Sequence, residues 1–277
     1  MKKTMHGQKD LIIIRGGGDI STGTIHRLWQ AGYGLLVLET PYPAAIRRQV
    51  ALSEAVYEGA AEVEGVRAVK IENAADAWPV IGSGRVPVLV DPAGESIRAL
   101  KPAAVVDAIL AKKNLGTTMD MAPLTIGLGP GFTAGRDVHY VIETMRGHRL
   151  GRIISEGSAM PNTGVPGVIA GFGAERVIHA ETEGTLRNIC HIGDLVRAGQ
   201  TIAEIEDGPR ITKVPAAIDG ILRGLIRDGY PVTKGFKIAD IDPRYAELTN
   251  CFTISDKARC IAGSVLELVC AAEIDRR

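Results

Sequence analysis

The first place where chemistry can be read in this chain is a glycine run between an aliphatic segment and a helix-like one. Leu11-Ile12-Ile13-Ile14 leads directly into Arg15-Gly16-Gly17-Gly18-Asp19-Ile20-Ser21-Thr22-Gly23. Glycines let backbone N–H groups approach a phosphate, and a helix N-terminus favours negative charge. Glu39 stands 21 residues beyond Gly18, at the end of the next aliphatic run, where an acid can take a ribose hydroxyl. The spacing is Gly-x-Gly-x-x-x-x-Gly (Gly16, Gly18, Gly23) rather than Gly-x-Gly-x-x-Gly, and the charge of Asp19 opposes a phosphate. A tight turn without a ligand therefore stays open beside a phosphate site.

A second glycine turn, Gly127-Leu-Gly129-Pro-Gly131-Phe-Thr-Ala-Gly135-Arg136-Asp137, carries four glycines in nine residues. So little side chain means either a crowded backbone crossing or an anion cradle. Arg136 and Arg146-Gly147-His148 can supply positive charge there. In alternating β/α chains the carboxyl ends of the strands line the ligand crevice, which adds Asp91 and Asp107. The candidate binding set is Arg15, Gly16, Gly17, Gly18, Asp19, Ser21, Thr22, Glu39, Asp91, Gly129, Gly131 and Arg136. No residue stands out as catalytic. His139 and His148 lack the spacing of metal ligands, and the chain has no Gly-x-Ser-x-Gly elbow. No metal site is expected.

These residues need elements to hold them. Leu11–Ile14, Leu35–Leu38 and Val86–Val90 read as buried parallel strands, and Val66–Ile71 as an alternating one. Thr24–Ala31 and Ala74–Ile81 read as helices, and Pro102–Leu110 suits either state. The alternation of strand and helix implies a parallel sheet. Near the other end, Asp256–Glu273 has the spacing of an amphipathic helix, with Cys260 and Cys270 in its pattern.

Between them lies an internal repeat. Gly193-x-x-Val196-x-x-Gly199-x-x-Ile202-Ala203-x-Ile205 recurs 36 residues later as Gly229-x-x-Val232-x-x-Gly235-x-x-Ile238-Ala239-x-Ile241. Glycines at turns and aliphatics at inward positions describe turn, short strand, turn, strand, twice over. Two such halves resemble a barrel-sandwich hybrid, the architecture of biotinyl and lipoyl carriers. Pro209 or Arg210 stands about where a carrier lysine belongs, so a docking or lid module is expected rather than a carrier. The Pro- and Gly-rich stretch 161–168 reads as the connection.

Composition narrows the classes. The 277 residues are 45% hydrophobic and 23% charged, enough apolar material for a core of one large or two ordinary domains. Lys+Arg and Asp+Glu both number 32, and aromatics are 4%. A neutral, aromatic-poor chain is a poor nucleic-acid binder. No apolar run reaches bilayer length, and the basic segment before Leu11 has too short an apolar core for a signal peptide. Four cysteines without paired spacing then suggest a reducing, cytoplasmic setting.

The segments Arg15–Gly23, Gly127–Gly135, Arg146-Gly-His-x-Leu-Gly151 and Lys234-Gly-x-Lys-Ile-x-Asp-Ile-Asp-Pro-Arg244 together resemble the YqeB family. The likeness runs nearly end to end. It implies a cytoplasmic accessory factor for selenium-dependent molybdenum hydroxylases, with an α/β half similar to XdhC-type chaperones. The ligand would be a molybdopterin-type cofactor or a dinucleotide, held by the glycine turns, Arg15 and Arg136. The partner would be an apo molybdenum hydroxylase, and Cys251 or Cys260 the carrier if selenium or sulfur is transferred. The alternatives are an NAD(P)-dependent oxidoreductase and a non-catalytic docking module. A homodimer is the default oligomer. The expected fold is α/β: a Rossmann-like parallel sheet domain (1–155), an all-β barrel-sandwich-hybrid-like domain (156–245), and a C-terminal strand and helix (246–277) packing on the core.

Overall fold

The computed structural model describes residues 11–274. The chain forms two compact units, one of Met1–Pro43, Ala51–Asn162 and Ile254–Arg277, the other of Ala44–Val50 and Thr163–Thr253.

The first unit is built on a nine-stranded sheet. Its centre is β1 (Leu11–Arg15), flanked by β2 (Gly34–Glu39) and β6 (Ala104–Asp107). Beyond β2 lie β5 (Val86–Val90), β4 (Val66–Ile71) and β3 (Ala60–Val63). Beyond β6 lie β7 (Leu124–Leu128), β9 (Tyr140–Ile142) and β10 (Ile153–Ile154). All neighbours are parallel except the two edges, where β3 returns along β4 and β10 returns along β9. β1 and β2 are buried at every position, as continuous aliphatic runs covered on both faces must be. The ambiguous stretch 102–110 is a strand because its slot between β1 and β7 offers hydrogen bonds on both sides.

Helix α1 runs Asp19–Gln30, starting five residues earlier than its apolar spacing suggests, because the chain turns into it directly at Gly18. The shorter helices are α2 (Ala55–Glu58), α3 (Ala77–Gly82) and α4 (Glu95–Leu100). α5, Asp256–Ile274, packs on α1. The two approach so closely that a Cβ on Gly23 would lie 2.8 Å from the backbone of Ala258. A small two-stranded antiparallel sheet pairs β8 (Thr133–Ala134) with β11 (Gly157–Ser158).

The second unit holds two four-stranded antiparallel sheets. One has the order β12 (Val177–His179), β19 (Lys237–Asp242), β17 (Gly220–Leu225), β14 (Leu195–Val196). The other runs β16 (Arg210–Pro215), β15 (Thr201–Asp207), β13 (Gly184–Asn188), β18 (Pro231–Val232). The short strand of each repeat crosses to the sheet of the other: β14 pairs with β17, and β18 with β13. Gly184 and Gly220, 36 residues apart, sit in matching surroundings. A Cβ on either would meet the carbonyl oxygen of Glu206 or Asp242 at 2.5 Å, and Ile205 or Ile241 at 2.8 Å.

The expected fold class needs correction. The large sheet is mixed rather than parallel, since short returning strands close both of its edges. The β-rich part is two separate antiparallel sheets rather than a barrel-sandwich domain following a Rossmann-like one. It takes in 44–50 from the first half of the chain, where Ile46 accepts from Leu225 N–H and fills the space left by Gly224. The C-terminal helix α5 packs on α1 within the first unit. Among the described residues no helix is long and apolar enough to cross a membrane.

Candidate functional site

The chain leaves β1 toward β2 on one side and later returns through β6 on the other. The sheet therefore has a switch point between β1 and β6, and crevices outside strand carboxyl ends open at such points. Four loops meet at this edge: 16–18 after β1, 108–114 after β6, 129–132 after β7 and 143–152 after β9.

Backbone contacts lock these loops together, and glycines make the contacts possible. Gly16, at φ +94°, lies so close to Ala108 that an added Cβ would be 3.0 Å from its carbonyl oxygen. On Gly131, at φ +114°, it would be 2.7 Å from Lys113 backbone, and on Gly129 2.6 Å from Thr144 Oγ1. The second glycine turn thus has the packing of a crowded crossing. Between these anchors, Leu110 (φ 59°) and Lys112 (φ 62°) adopt the left-handed region without being glycine. Non-glycine residues held there store local strain, which concentrates at functional sites.

The first glycine turn has few free groups. Gly17 N–H donates to Glu39 Oε2 at 2.8 Å, and Thr40 N–H to Glu39 Oε1 at 2.8 Å. Burial pushes the Glu39 carboxyl above its ordinary range, while these two N–H groups pull it back. The acid read as a ribose ligand is therefore engaged by its own turn. Ser21 donates its hydroxyl to Gly16 O, and Thr22 donates to Gly18 O at 2.9 Å while accepting from Leu52 N–H. Ser53 N–H holds Gly17 O at 2.9 Å. Gly18 differs: it begins α1 without a side chain of its own to cap it, and among the described residues nothing lies within 4 Å of the Cβ it lacks.

The other candidates hold structural posts. Arg15 is 1% exposed; its guanidinium donates to Thr117 Oγ1 and Pro92 O (2.9 Å) and lies 3.6 Å from Asp107. Burial pushes Asp107 up, against the Thr117 hydroxyl, the Ile109 N–H and the Arg15 charge. Asp91 caps α4, taking the N–H groups of Gly94, Glu95 and Ser96 and the Ser96 hydroxyl. Those bonds outweigh its burial and hold its carboxyl below the usual range. Arg136 is exposed and paired with Asp137 at 3.0 Å. His139 is tied to Thr125. Among the described residues no three His, Cys, Asp or Glu side chains are grouped to hold a metal ion.

The structure adds residues that spacing did not single out. Glu143, 2% exposed, follows β9 and accepts from Met145 N–H (2.7 Å) and Met160 N–H (2.8 Å). Lys257 is half-buried in the first turn of α5. Burial and the neighbouring Arg146 lower its pKa, against the attraction of Asp19, Glu143 and Asp256. A perturbed amine beside a strand-end crevice is a functional-site signal. Of the two cysteines considered as carriers, Cys251 is buried and its thiol is pushed up by desolvation, whereas Cys260 is exposed. A raised thiol pKa removes the thiolate that transfer chemistry requires.

No family model matches the chain. Over 267 residues, 96% of its length, it is 49% identical to a protein of Escherichia coli (strain K12) described as uncharacterized protein YqeB. That match supports the resemblance to the YqeB family. The chain spans about half the length of this curated relative, 48%. Among solved structures, a succinylglutamate desuccinylase/aspartoacylase from Rhodobacter sphaeroides matches at 13% identity, covering 87% of each chain, with a TM-score of 0.27. The product-bound ectoine utilization protein EutE (DoeB) from Ruegeria pomeroyi matches at 11% identity, covering 84% of this chain and 57% of that one, with a TM-score of 0.24. Likenesses this faint define neither the fold nor the chemistry of this chain.

The functional expectation is corrected at this point. The curated YqeB relative is described as uncharacterized, so the match assigns no activity to this chain. Nothing in these likenesses supports a factor maturing selenium-dependent molybdenum hydroxylases, an XdhC-type chaperone or a docking module. Glu39, the acid that the NAD(P)-dependent oxidoreductase reading gives to a ribose, accepts from Gly17 N–H and Thr40 N–H.

Proposed function

We propose that the first unit binds a small molecule through an oxyanion group, carboxylate or phosphate, at the carboxyl ends of β1, β6, β7 and β9. The observation that carries this reading is the start of α1 at the switch point, where Gly18 has no side chain to cap the helix and, among the described residues, nothing lies within 4 Å of the Cβ it lacks. The first N–H groups of a helix have no partner within it, and they attract an anion. Lys257 supplies a nearby positive charge, offsetting Asp19 in the same first turn. The strained Leu110 and Lys112 fit a loop whose shape is set by what it holds.

Gly18 has φ −66°, so any side chain is tolerated there and the site can be tested without disturbing the fold. Titration calorimetry with inorganic phosphate and with acetate is expected to show saturable binding to the full chain. Gly18→Glu places a carboxylate over the same N–H groups and is expected to remove that binding with little change in melting temperature. Binding that survives Gly18→Glu would place the oxyanion elsewhere.

A further inference from the structure

The loops around this crevice differ sharply in how they treat the two signs of charge. Two of their acids are withdrawn, Asp107 and Glu143 at 1% and 2% exposure, while Asp19 is half-buried and the exposed Asp256 is neutralised by both terminal nitrogens of Arg146. Their bases are displayed. Lys112 and Lys113 after β6, and Arg149 and Arg152 after β9, are exposed and enter no ion pair among the described residues.

These cations are fixed at one edge by backbone rather than by side-chain reach. The parallel order β1, β6, β7, β9 brings both loops to the same end of the sheet. Gly131 presses against the Lys113 backbone, linking the loop after β6 to that after β7. Gly129 presses against Thr144 and accepts no Cβ there, linking the loop after β7 to that after β9. Glu143 N–H bonds Arg152 O, and Gly151 N–H bonds Glu143 O, which closes the 143–152 loop on itself. Lys112 is held at φ 62°, a conformation that lysine does not choose locally.

We infer that this basic rim selects a multiply charged oxyanion, a polyphosphate or polycarboxylate group, over a singly charged one. The inference rests on the oxyanion reading of the crevice and names the class of ligand it takes. Clustered charges of one sign around a cleft focus their field into it, and the attraction grows with each charge on the ligand. It also falls with ionic strength, because exposed charges are screened over about 8 Å in physiological salt.

The test is calorimetry on the full chain with four probes: pyrophosphate, citrate, inorganic phosphate and acetate. At low salt, pyrophosphate or citrate is expected to bind about tenfold or more tightly than phosphate or acetate, an advantage that shrinks in high salt. Which of the two binds better separates a phosphate from a carboxylate source. The double variants Lys112→Gln/Lys113→Gln and Arg149→Gln/Arg152→Gln are each expected to remove most of that advantage. Phosphate and acetate affinity should fall less than pyrophosphate or citrate affinity in either, and melting temperature should change little. Equal affinity for singly and multiply charged probes, or unchanged preference in both double variants, would overturn the rim while leaving the oxyanion site standing. Failure of all four probes to bind would overturn both.

Discussion

The acid that a dinucleotide reading assigns to a ligand, Glu39, serves its own turn, and this sets a measurable pH signature. Burial raises its folded pKa above the ordinary 4.5, despite the N–H groups of Gly17 and Thr40. For an acid with a raised folded pKa, the folded state holds more protons than the unfolded one between the two values. Its contribution to stability is therefore present below the unfolded pKa and lost as pH rises through the folded one. Asp107 is shifted in the same direction, with burial the main cause. Glu39→Gln removes one titration from this pair, and the decline in chemical-denaturation stability from pH 4 upward should become shallower. A variant whose stability falls with pH as steeply as the wild type would show that Glu39 does not titrate on unfolding in this range.

At the scale of elements, the contact between α1 and α5 turns on one missing side chain. In an isolated helix, Gly→Ala gains about 1 kcal/mol of propensity. At Gly23 the new Cβ would lie 2.8 Å from the backbone of Ala258, a neighbour that cannot yield by rotating a side chain. Overpacking of that kind costs about 1–3 kcal/mol, so the clash outweighs the propensity. Gly23→Ala is expected to lower the melting temperature, and a rise would mean that the two helices separate freely. The same principle explains why the second glycine turn is packed shut: Gly127, Gly129 and Gly131 meet Phe132, Thr144 and Lys113 where a Cβ would stand.

At the scale of the molecule, the second unit is a duplicated pattern whose halves complete each other's sheets through β14 and β18. The equivalence extends to Gly184 and Gly220, at φ +146° and +157°, each facing a carbonyl oxygen at 2.5 Å from the absent Cβ. Alanine at either position combines backbone strain with a backbone clash and should destabilise by more than about 2 kcal/mol. Because the surroundings match, the two losses should agree within about 0.5 kcal/mol in equilibrium denaturation. A large inequality would show that the halves do not share the load equally. Polar content is less symmetric: Asp240 is buried between Arg176 (3.1 Å) and Arg223 (3.4 Å), whereas Glu204 in the first repeat is half-buried and Glu206 pairs with Arg187 on an exposed face.

Much of this architecture was legible in the residues alone. Continuous aliphatic runs such as Leu11–Ile14 and Val86–Val90 can be covered only on both faces, so they read as buried strands before any pairing is known. The 36-residue repeat fixed its own turns and inward positions, because glycine and β-branched residues have strong local preferences. The amphipathic spacing of 256–273 identified α5. The antiparallel edges were not legible, since β3 and β10 are four and two residues long and carry no distinctive pattern. Nor was the transfer of 44–50 to the second unit, which depends on Ile46 filling the space beside Gly224.

At the site the division is sharper. Residue types marked Gly16–Gly18, Glu39 and the Gly127–Gly131 turn as unusual, because runs of glycine let backbone approach its neighbours closely. Whether their N–H groups faced a ligand or the protein depended on what packed against them. Gly17 N–H meets the Glu39 carboxylate, and the backbones of Gly16, Gly129 and Gly131 press on Ala108, Thr144 and Lys113, all distant in sequence. Arg15 and Asp91 looked like ligand groups and are a buried clamp and a helix cap, because each carries a formal charge that burial obliges the fold to satisfy. Lys257 and the basic rim carried no local signal at all. They gain meaning only when the parallel strand order gathers loops from separate parts of the chain at one end of the sheet. Local sequence dictates which conformations a residue can adopt, whereas the neighbours that decide its chemistry are chosen by tertiary packing.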